Sequence, residues 1–187
     1  MRSGIVEMYD QGPANSCVGN AVAGVFEFID NKQGLSSIKP SRLAAYYLAR
    51  RYQGWEGFDG GAMIRDGIKA FFEFGAAPEE LWPYDLSKVN VQPSAVALDQ
   101  AKLHQAIEYL RVDQNNGALR ACIAAEFPFV FGMTLYENFQ AQETLRTGIV
   151  PLPSGKVIGG HAMYCVGYDD DKQWYICPNS WSKAVGD

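Results

Sequence analysis

The apolar residues of this 187-residue chain keep a helical period in its first part and form short, strand-like runs in its second part. The helical spacing predicts one helix that begins after the N-capping residues Asn15 and Ser16 and ends at Gly34. It predicts a second helix after residues 39–41 and a third over about residues 62–74. The first part of the chain should therefore fold as a group of helices.

The second part of the chain carries the strand signals. The run 129–135 is typical of a buried strand, and the segments 161–169 and 173–177 flank an acidic turn that predicts a β-hairpin. Loose alternation favours a further strand over residues 104–112, and a short helix is expected over residues 115–126. The predicted fold is α+β, a single domain with a helical lobe (about residues 11–90) followed by a mostly antiparallel β lobe (about residues 91–187).

Composition and charge argue against several classes of partner. The net charge is −5 and the 16 Lys and Arg residues are scattered, so the chain lacks the basic face that nucleic acid or an anionic membrane requires. No apolar stretch approaches the roughly 18 residues of a membrane span. The first twelve residues contain no apolar core of a signal peptide. We therefore expect no nucleic-acid or membrane partner, and the sequence leans towards a cytoplasmic location.

The four cysteines at positions 17, 122, 165 and 177 form no CxxC pair, and the chain has only two histidines. A structural zinc site is therefore not expected, and no other metal or cofactor is expected either. The spacing of the cysteines does not suggest a disulfide framework, which favours a reducing compartment or a fold without disulfides.

Cys17 falls at the start of the first predicted helix, in the segment DQGPANSCVGNA. Unpaired backbone N–H groups and the helix dipole favour an anion there, which would lower the pKa of the thiol. A lone cysteine is more commonly a buried, inert residue on the inner face of the helix, so the position alone leaves the two interpretations about even. Gln11, six residues earlier, favours the reactive one, because its amide and the backbone N–H of Cys17 can donate together to an oxyanion.

His161 lies in a context expected of a catalytic base, since two glycines precede it and an apolar strand follows. The predicted hairpin returns the chain to Asn179, whose amide oxygen can accept the imidazole N–H and fix the orientation of the ring. Trp181 would then cover the pair from water. The other histidine, His104, lies in a charged stretch and is interpreted as structural. A thiolate beside an imidazolium is nucleophilic near neutral pH, so Cys17 and His161 are the expected nucleophile and base.

These residues resemble the papain family of cysteine peptidases, and the resemblance covers nearly the whole chain. Gln11 precedes Cys17 at the family's spacing, His161 lies in the family's G-H-A context, and Asn179 begins its N-S-W motif. The phrases RDGIKAFFEFG, PEELWPYD and FPFVFGMTLYENF look most similar to bacterial members. The resemblance implies a cysteine endopeptidase with a two-lobe fold, in which the active site lies in the cleft between a helical lobe and an antiparallel, β-barrel-like lobe.

The resemblance also implies where a peptide or protein substrate, a propeptide or a protein inhibitor would bind. Asp59-Gly60-Gly61 is similar to the family's N-G-G segment, whose backbone pairs with the substrate, and Trp82-Pro83-Tyr84 is similar to its Y-P-Y segment. An apolar substrate residue is expected in the pocket for the second position before the scissile bond, because the expected lining is small or apolar. That lining is Met63, Phe131, Gly132, Gly160 and Ala162, of which Phe131 alone is more commonly a core residue.

The chain departs from the family pattern at several positions. Ala14 and Phe58 stand where the resemblance would place the family's first disulfide, so both of its cysteines are lost together. The family's local cysteine signature is kept only as Ser16-Cys17. Val185 replaces a family tryptophan, and the chain ends at Asp187, where the family's final strand would begin. We therefore expect that strand to be missing from this sequence.

Two other functions stay open at this point. One is another Cys–His acyl-transfer enzyme, such as a transpeptidase or an amidase; the Gly-Gly segment and the lack of an acceptor-site signature count against it. The other is an inactive, papain-fold binding protein. Such proteins usually lose the cysteine, the histidine or the oxyanion glutamine, and Cys17, His161 and Gln11 are all present.

Overall fold

The computed structural model of the protein describes residues 7–34 and 38–181. The helical half and the strand half follow each other along the chain as predicted. In order, the elements are α1 (Cys17–Lys32), α2 (Arg42–Arg51), α3 (Ile64–Glu73), α4 (Ala95–Ala101), α5 (Asn116–Ala124), β1 (Phe129–Tyr136), α6 (Gln142–Thr147), β2 (Val157–Cys165), β3 (Gly167–Asp169) and β4 (Trp174–Ile176). Within the described residues, 3₁₀ turns also lie at Leu86–Lys88 and Glu137–Gln140.

The three helices predicted for the first part of the chain are confirmed, with ends that differ from the prediction by a few residues. α1 begins at Cys17 directly after Ser16. α2 begins after Ser41, whose hydroxyl accepts the backbone N–H of Ala44 at 3.1 Å. α3 ends before Gly75, which has φ +86°, and a Cβ at Gly75 would lie 1.8 Å from a backbone oxygen of α4.

α1 is the central helix of the core, because it packs against both halves of the molecule. One cluster of apolar side chains joins Val18 and Val22 of α1 to Phe71 of α3 and to Ala162 and Tyr164 of β2. Burial of a cluster of this kind is the main favourable contribution to folding. The first turn of α1 and the middle of β2 are therefore held in a fixed relation to each other.

The strands of the second half pair as antiparallel ladders. β1 pairs with β2, and this register places Met133 opposite His161 and Gly132 opposite Ala162. β3 pairs with β4, which confirms the hairpin predicted around the acidic turn. Within the described residues the four strands form two separate two-stranded sheets and do not close into a barrel. The predicted α+β class is confirmed.

Two segments between the halves differ from the prediction. The strand expected over residues 104–112 is wrong, because this segment runs along the end of α3 without a partner strand and leaves Ile107 93% exposed. α4 was not predicted; it begins after Ser94, whose hydroxyl accepts the backbone N–H of Ala97. The short helix expected over residues 115–126 is confirmed as α5. Residues 182–187, where Val185 and the expected end of the family fold lie, are outside the described residues.

No helix within the described residues has the length and apolar character needed to cross a membrane.

Candidate active site

An open cleft of about 770 Å³ lies between the start of α1 and the β1–β2 sheet. Cys17 enters it from the first turn of α1, and His161 enters it from β2. The cleft is also lined by other residues singled out in the sequence, namely Gln11, Gly60, Gly61, Met63, Gly132, Gly160, Ala162 and Trp181. Residues from separate parts of the chain therefore meet at one surface large enough for a peptide segment.

The His161 ring is held by one hydrogen bond and two aromatic side chains. Its Nε2 lies 2.8 Å from Oδ1 of Asn179, the contact expected from the sequence. Because the amide oxygen only accepts, Nε2 carries the proton and Nδ1 is the free acceptor of the neutral ring. The Trp181 ring lies 5.1 Å from the imidazole, centroid to centroid, and Phe139 packs edge-on to Trp181 at 5.2 Å. His161 is consequently buried, with 6% of its surface exposed.

The tripeptide Asn179-Ser180-Trp181 connects the two halves of the cleft. Asn179 contacts the His161 ring, and Trp181 packs over the same ring. Between them, Ser180 bonds to Gln11 twice, since its carbonyl oxygen accepts the Gln11 backbone N–H at 2.8 Å and its hydroxyl donates to Gln11 Oε1 at 2.6 Å. The sequence analysis assigned no role to Ser180, although it lies inside the N-S-W motif.

The side-chain amide of Gln11 makes two hydrogen bonds within the protein. Its oxygen accepts the Ser180 hydroxyl, and its nitrogen donates to the carbonyl oxygen of Ala14 at 2.8 Å. An amide nitrogen carries two N–H groups, and the bond to Ala14 uses one of them. The second is left for a group in the cleft that Gln11 lines together with Cys17.

Burial acts against charge on both Cys17 and His161 when each is considered alone. Burial raises the pKa of the Cys17 thiol by more than the backbone N–H groups of Ala162 and Val18 lower it. Burial also lowers the pKa of His161, and the hydrogen bond that His161 donates to Asn179 opposes this shift. The N–H groups at the start of α1 lower the pKa of the thiol, as expected from its position, but burial outweighs them in the isolated thiol. A thiolate and an imidazolium formed together attract each other, so each charge depends on the presence of the other.

The segment Asp59-Gly60-Gly61 is hydrogen-bonded to the residues just before Cys17. The Gly61 backbone N–H donates to the Tyr46 hydroxyl at 2.9 Å, and that hydroxyl donates to Asp59 Oδ1 at 2.5 Å. Asp59 in turn accepts the backbone N–H of Asn15 at 3.1 Å, and its carbonyl oxygen accepts the Asn15 side-chain amide at 2.8 Å. Asn15 and Asp59 directly follow Ala14 and Phe58, the two positions of the family's first disulfide. All four cysteines of the chain are free.

Phe131 does not line the cleft. Its side chain packs against two core clusters of the β half, which agrees with the interpretation of this residue as core. Met63 does line the cleft and is 54% exposed at the start of α3. The sequence analysis missed Trp55 and Ile158, which line the cleft from a turn and from the exposed start of β2. Within the described residues, no group of three or more His, Cys, Asp or Glu side chains is arranged to hold a metal ion.

The family model described as papain family cysteine protease matches residues 3–187. The chain belongs to this family. The chain is 37% identical to xylellain, a cysteine protease from Xylella fastidiosa, over 96% of this chain and 73% of that one, with a TM-score of 0.88. The predicted family, with its resemblance to bacterial members, is thereby confirmed.

Two other relatives extend the comparison. An uncharacterized peptidase C1-like protein of Acanthamoeba polyphaga mimivirus is 35% identical over 95% of this chain and 60% of its own length. A cathepsin B-like protein of Giardia intestinalis is 26% identical over 98% of this chain and 62% of its own length. The chain therefore spans about three-fifths of the length of these curated relatives. A cysteine protease of Carica candamarcensis, solved in complex with E-64, shares the fold with 20% identity over 100% of this chain and 82% of that one, at a TM-score of 0.69.

Proposed function

We propose that the protein is a cysteine endopeptidase that hydrolyses peptide bonds through a Cys17 thiolate and a His161 imidazolium. The observation that carries this proposal is the fixed position of His161, whose Nε2 is bonded to Asn179 in the same cleft that Cys17 lines. Since that bond uses Nε2, the other ring nitrogen, Nδ1, is the one that exchanges a proton with the thiol.

In the first step the Cys17 thiolate attacks the carbonyl carbon of the scissile peptide bond. The carbonyl oxygen becomes an oxyanion, which accepts hydrogen bonds from the free amide N–H of Gln11 and from the backbone N–H of Cys17. Imidazolium His161 then donates its proton to the leaving amine, and a thioester remains on Cys17. Neutral His161 next removes a proton from a water molecule, which attacks the thioester and releases the acid product. Asn179 keeps the ring in one orientation through both steps.

The substrate is a peptide or protein segment in extended conformation. The backbone of Gly60 and Gly61 is open on the cleft side, and a backbone segment without side chains permits close pairing with a peptide. Met63, Gly132, Gly160 and Ala162 line the cleft nearby and favour an apolar residue at the second position before the scissile bond. A positional-scanning peptide library in which Arg or Asp is preferred at this position would contradict the assignment.

A propeptide or a protein inhibitor would occupy the same cleft. Solved relatives include procathepsin B from Trypanosoma congolense and protease complexes with E-64. These relatives are less than 25% identical to the chain, so they motivate the choice of probe and do not define the specificity of this cleft.

The direct test is labelling with the thiol-reactive epoxide E-64, measured by intact mass and peptide mapping, beside hydrolysis of a fluorogenic peptide. We expect one adduct on Cys17, none on Cys122, and loss of both labelling and hydrolysis in His161→Ala. Cys122 is a matched internal control, because it is also partly buried but lies outside the cleft. Folded protein in which Cys17 reacts no faster than Cys122 would contradict the proposal and favour the inactive binding protein.

The same assay separates hydrolysis from acyl transfer. With a primary amine added to the peptide reaction, a hydrolase releases mainly the acid product, whereas a transpeptidase transfers most of the acyl group to the amine. A dominant amide product at modest amine concentration would favour the acyl-transfer alternative.

A further inference from the structure

A chain of hydrogen bonds runs behind the cleft from α2 to the backbone of Gln11. Arg42 Nη1 donates to Asn20 Oδ1 at 3.3 Å, and Asn20 Nδ2 donates to Ser16 Oγ at 3.0 Å. Ser16 Oγ lies 2.5 Å from the Tyr84 hydroxyl, which donates to the carbonyl oxygen of Gln11 at 2.9 Å. Because Tyr84 gives its single proton to Gln11, Ser16 is the donor between the two hydroxyls. Every bond of the chain is therefore directed towards Gln11.

Three members of this chain, Ser16, Asn20 and Arg42, are buried, and the fourth, Tyr84, is partly buried. Ser16 and Asn20 have no exposed surface, and Arg42 is 8% exposed. The Arg42 guanidinium lies over the face of the Tyr84 ring, 4.0 Å from its centre, in a cation–π contact that restrains the ring. Burial raises the pKa of Tyr84, so its hydroxyl stays protonated at neutral pH and can donate to Gln11. In such an environment successive hydrogen bonds strengthen one another.

Tyr84 touches the two residues that determine the geometry of the oxyanion site. Ser16 directly precedes Cys17, and Gln11 carries the side-chain amide. Between them the chain makes an exposed turn in which Gly12 has φ +56°. The Tyr84 hydroxyl links the two ends of this turn, yet it does not itself line the cleft.

We infer that Tyr84 is a positioning residue for the oxyanion site, whose hydroxyl fixes the Gln11 backbone against the start of α1. With this link in place, the Gln11 amide and the Cys17 backbone N–H converge on one oxygen atom. The inference rests on the proposed function, because it requires an oxyanion that Gln11 stabilises. Tyr84 acts through Gln11 and contacts neither the substrate nor the thiol.

Two reactions of Cys17 distinguish this role from a general structural one. Hydrolysis of a peptide forms an oxyanion, whereas alkylation by iodoacetamide displaces iodide at a saturated carbon and forms none. Tyr84→Phe should therefore lower kcat for peptide hydrolysis by about 10- to 100-fold, since a small misplacement of a catalytic group has effects of this size. The rate at which iodoacetamide alkylates Cys17 should not change.

The test compares Tyr84→Phe, Gln11→Ala and the double variant. Tyr52→Phe is the matched control, because it also removes a tyrosine hydroxyl. That hydroxyl donates to Glu73 at 2.6 Å on the surface, just after the end of α2. We expect Tyr52→Phe to match the unmodified protein, and Tyr84→Phe to have no further effect on kcat once Gln11 is alanine. Ser16→Ala is a second probe of the link. The Ser16 side chain makes no capping bond to α1, and Asn20 keeps its bond to the Ser16 carbonyl oxygen.

The outcomes separate this inference from the proposed function. If Gln11→Ala hydrolyses peptide at the unmodified rate, the oxyanion role of Gln11 fails and the inference fails with it. If Gln11→Ala is slow while Tyr84→Phe and Ser16→Ala are unaffected, the inference alone is overturned. It is also overturned if these variants slow alkylation and hydrolysis equally, or if the effect of Tyr84→Phe simply adds to that of Gln11→Ala.

Discussion

On the α1 side of the cleft, buried and partly buried polar side chains from distant parts of the chain bond to the backbone of residues 10–15. Tyr84, Arg42 and Asp59 supply these bonds. On the β2 side, His161 is held by the register of two strands, two aromatic rings and one hydrogen bond. Hydrogen bonds constrain direction strongly and leave unpaired groups when one member is removed, whereas apolar packing is less directional.

The difference suggests a division of tasks between the two walls. In the proposed mechanism the α1 wall places two N–H donors around one oxygen atom, which demands directional contacts. In that mechanism the β2 wall holds the flat ring of His161 while it exchanges protons. Packing against Trp181 and Phe139 restricts the ring, so that one hydrogen bond, to Asn179, is enough to orient it. The segment Asn179–Trp181 makes contacts of both kinds.

Removing Arg42 should have the largest effect on stability, because Arg42 forms a nearly buried ion pair with Glu79 in the polar network of the α1 wall. Arg42 Nη2 lies 3.1 Å from Glu79 Oε1, and both side chains are nearly buried. Arg42→Ala leaves Glu79 without its partner and should lower the free energy of unfolding by about 3–5 kcal/mol. Arg51→Ala, in the exposed last turn of the same helix, should change it by less than about 0.5 kcal/mol. Equal effects of the two variants in urea unfolding would contradict the account.

Replacing Asn179 probes the single polar contact of the β2 wall. Its hydrogen bond raises the pKa of His161, and the alkaline limb of kcat/KM reports loss of the imidazolium proton. Asn179→Ala should therefore move this limb to lower pH and reduce kcat/KM by roughly 100-fold through loss of ring orientation. Asn179→Asp places a negative charge beside the ring and should move the limb to higher pH. An alkaline limb that stays in place in both variants would show that Asn179 does not act on His161.

Removing Asp59 separates two parts of the α1 wall. It removes hydrogen bonds that hold the Gly60-Gly61 segment and leaves the bonds of Gln11 in place. Asp59→Ala should raise KM by about tenfold, the equivalent of one or two lost hydrogen bonds, with a smaller change in kcat. Asp99→Ala removes an exposed carboxylate on α4 and serves as the matched control. A fall in kcat with an unchanged KM would place the role of Asp59 in the chemistry instead of in substrate binding.

The local features of the fold could be predicted from the sequence. The start of α2 follows from its capping residue Ser41, and the start of α1 follows from apolar spacing, although Ser16 makes no capping bond there. The β3–β4 hairpin follows from an acidic turn between apolar runs. The contact between His161 and Asn179 was expected from that hairpin. The strand expected over residues 104–112 was wrong because alternation alone does not provide a partner strand.

The supporting contacts of the site could not be predicted, because their partners are far apart in the chain. Tyr84 is 73 residues from Gln11, and Asp59 is 44 residues from Asn15. No local pattern links such residues, and each one alone is an ordinary polar side chain. The burial that raises the pKa of Cys17 could not be predicted for a related reason, since it comes from packing against residues far along the chain, including those of β2.

The central claim is that Cys17 and His161 form a charged pair across the cleft, and the pH dependence of Cys17 alkylation tests it most directly. We would measure the iodoacetamide rate at Cys17 between pH 4 and pH 10 in the unmodified protein and in His161→Ala. The account predicts a rate plateau in the unmodified protein that extends well below the ordinary thiol pKa of about 8.5. In His161→Ala the rate should rise only at or above that value. The claim is contradicted if both proteins show the same single rise at alkaline pH.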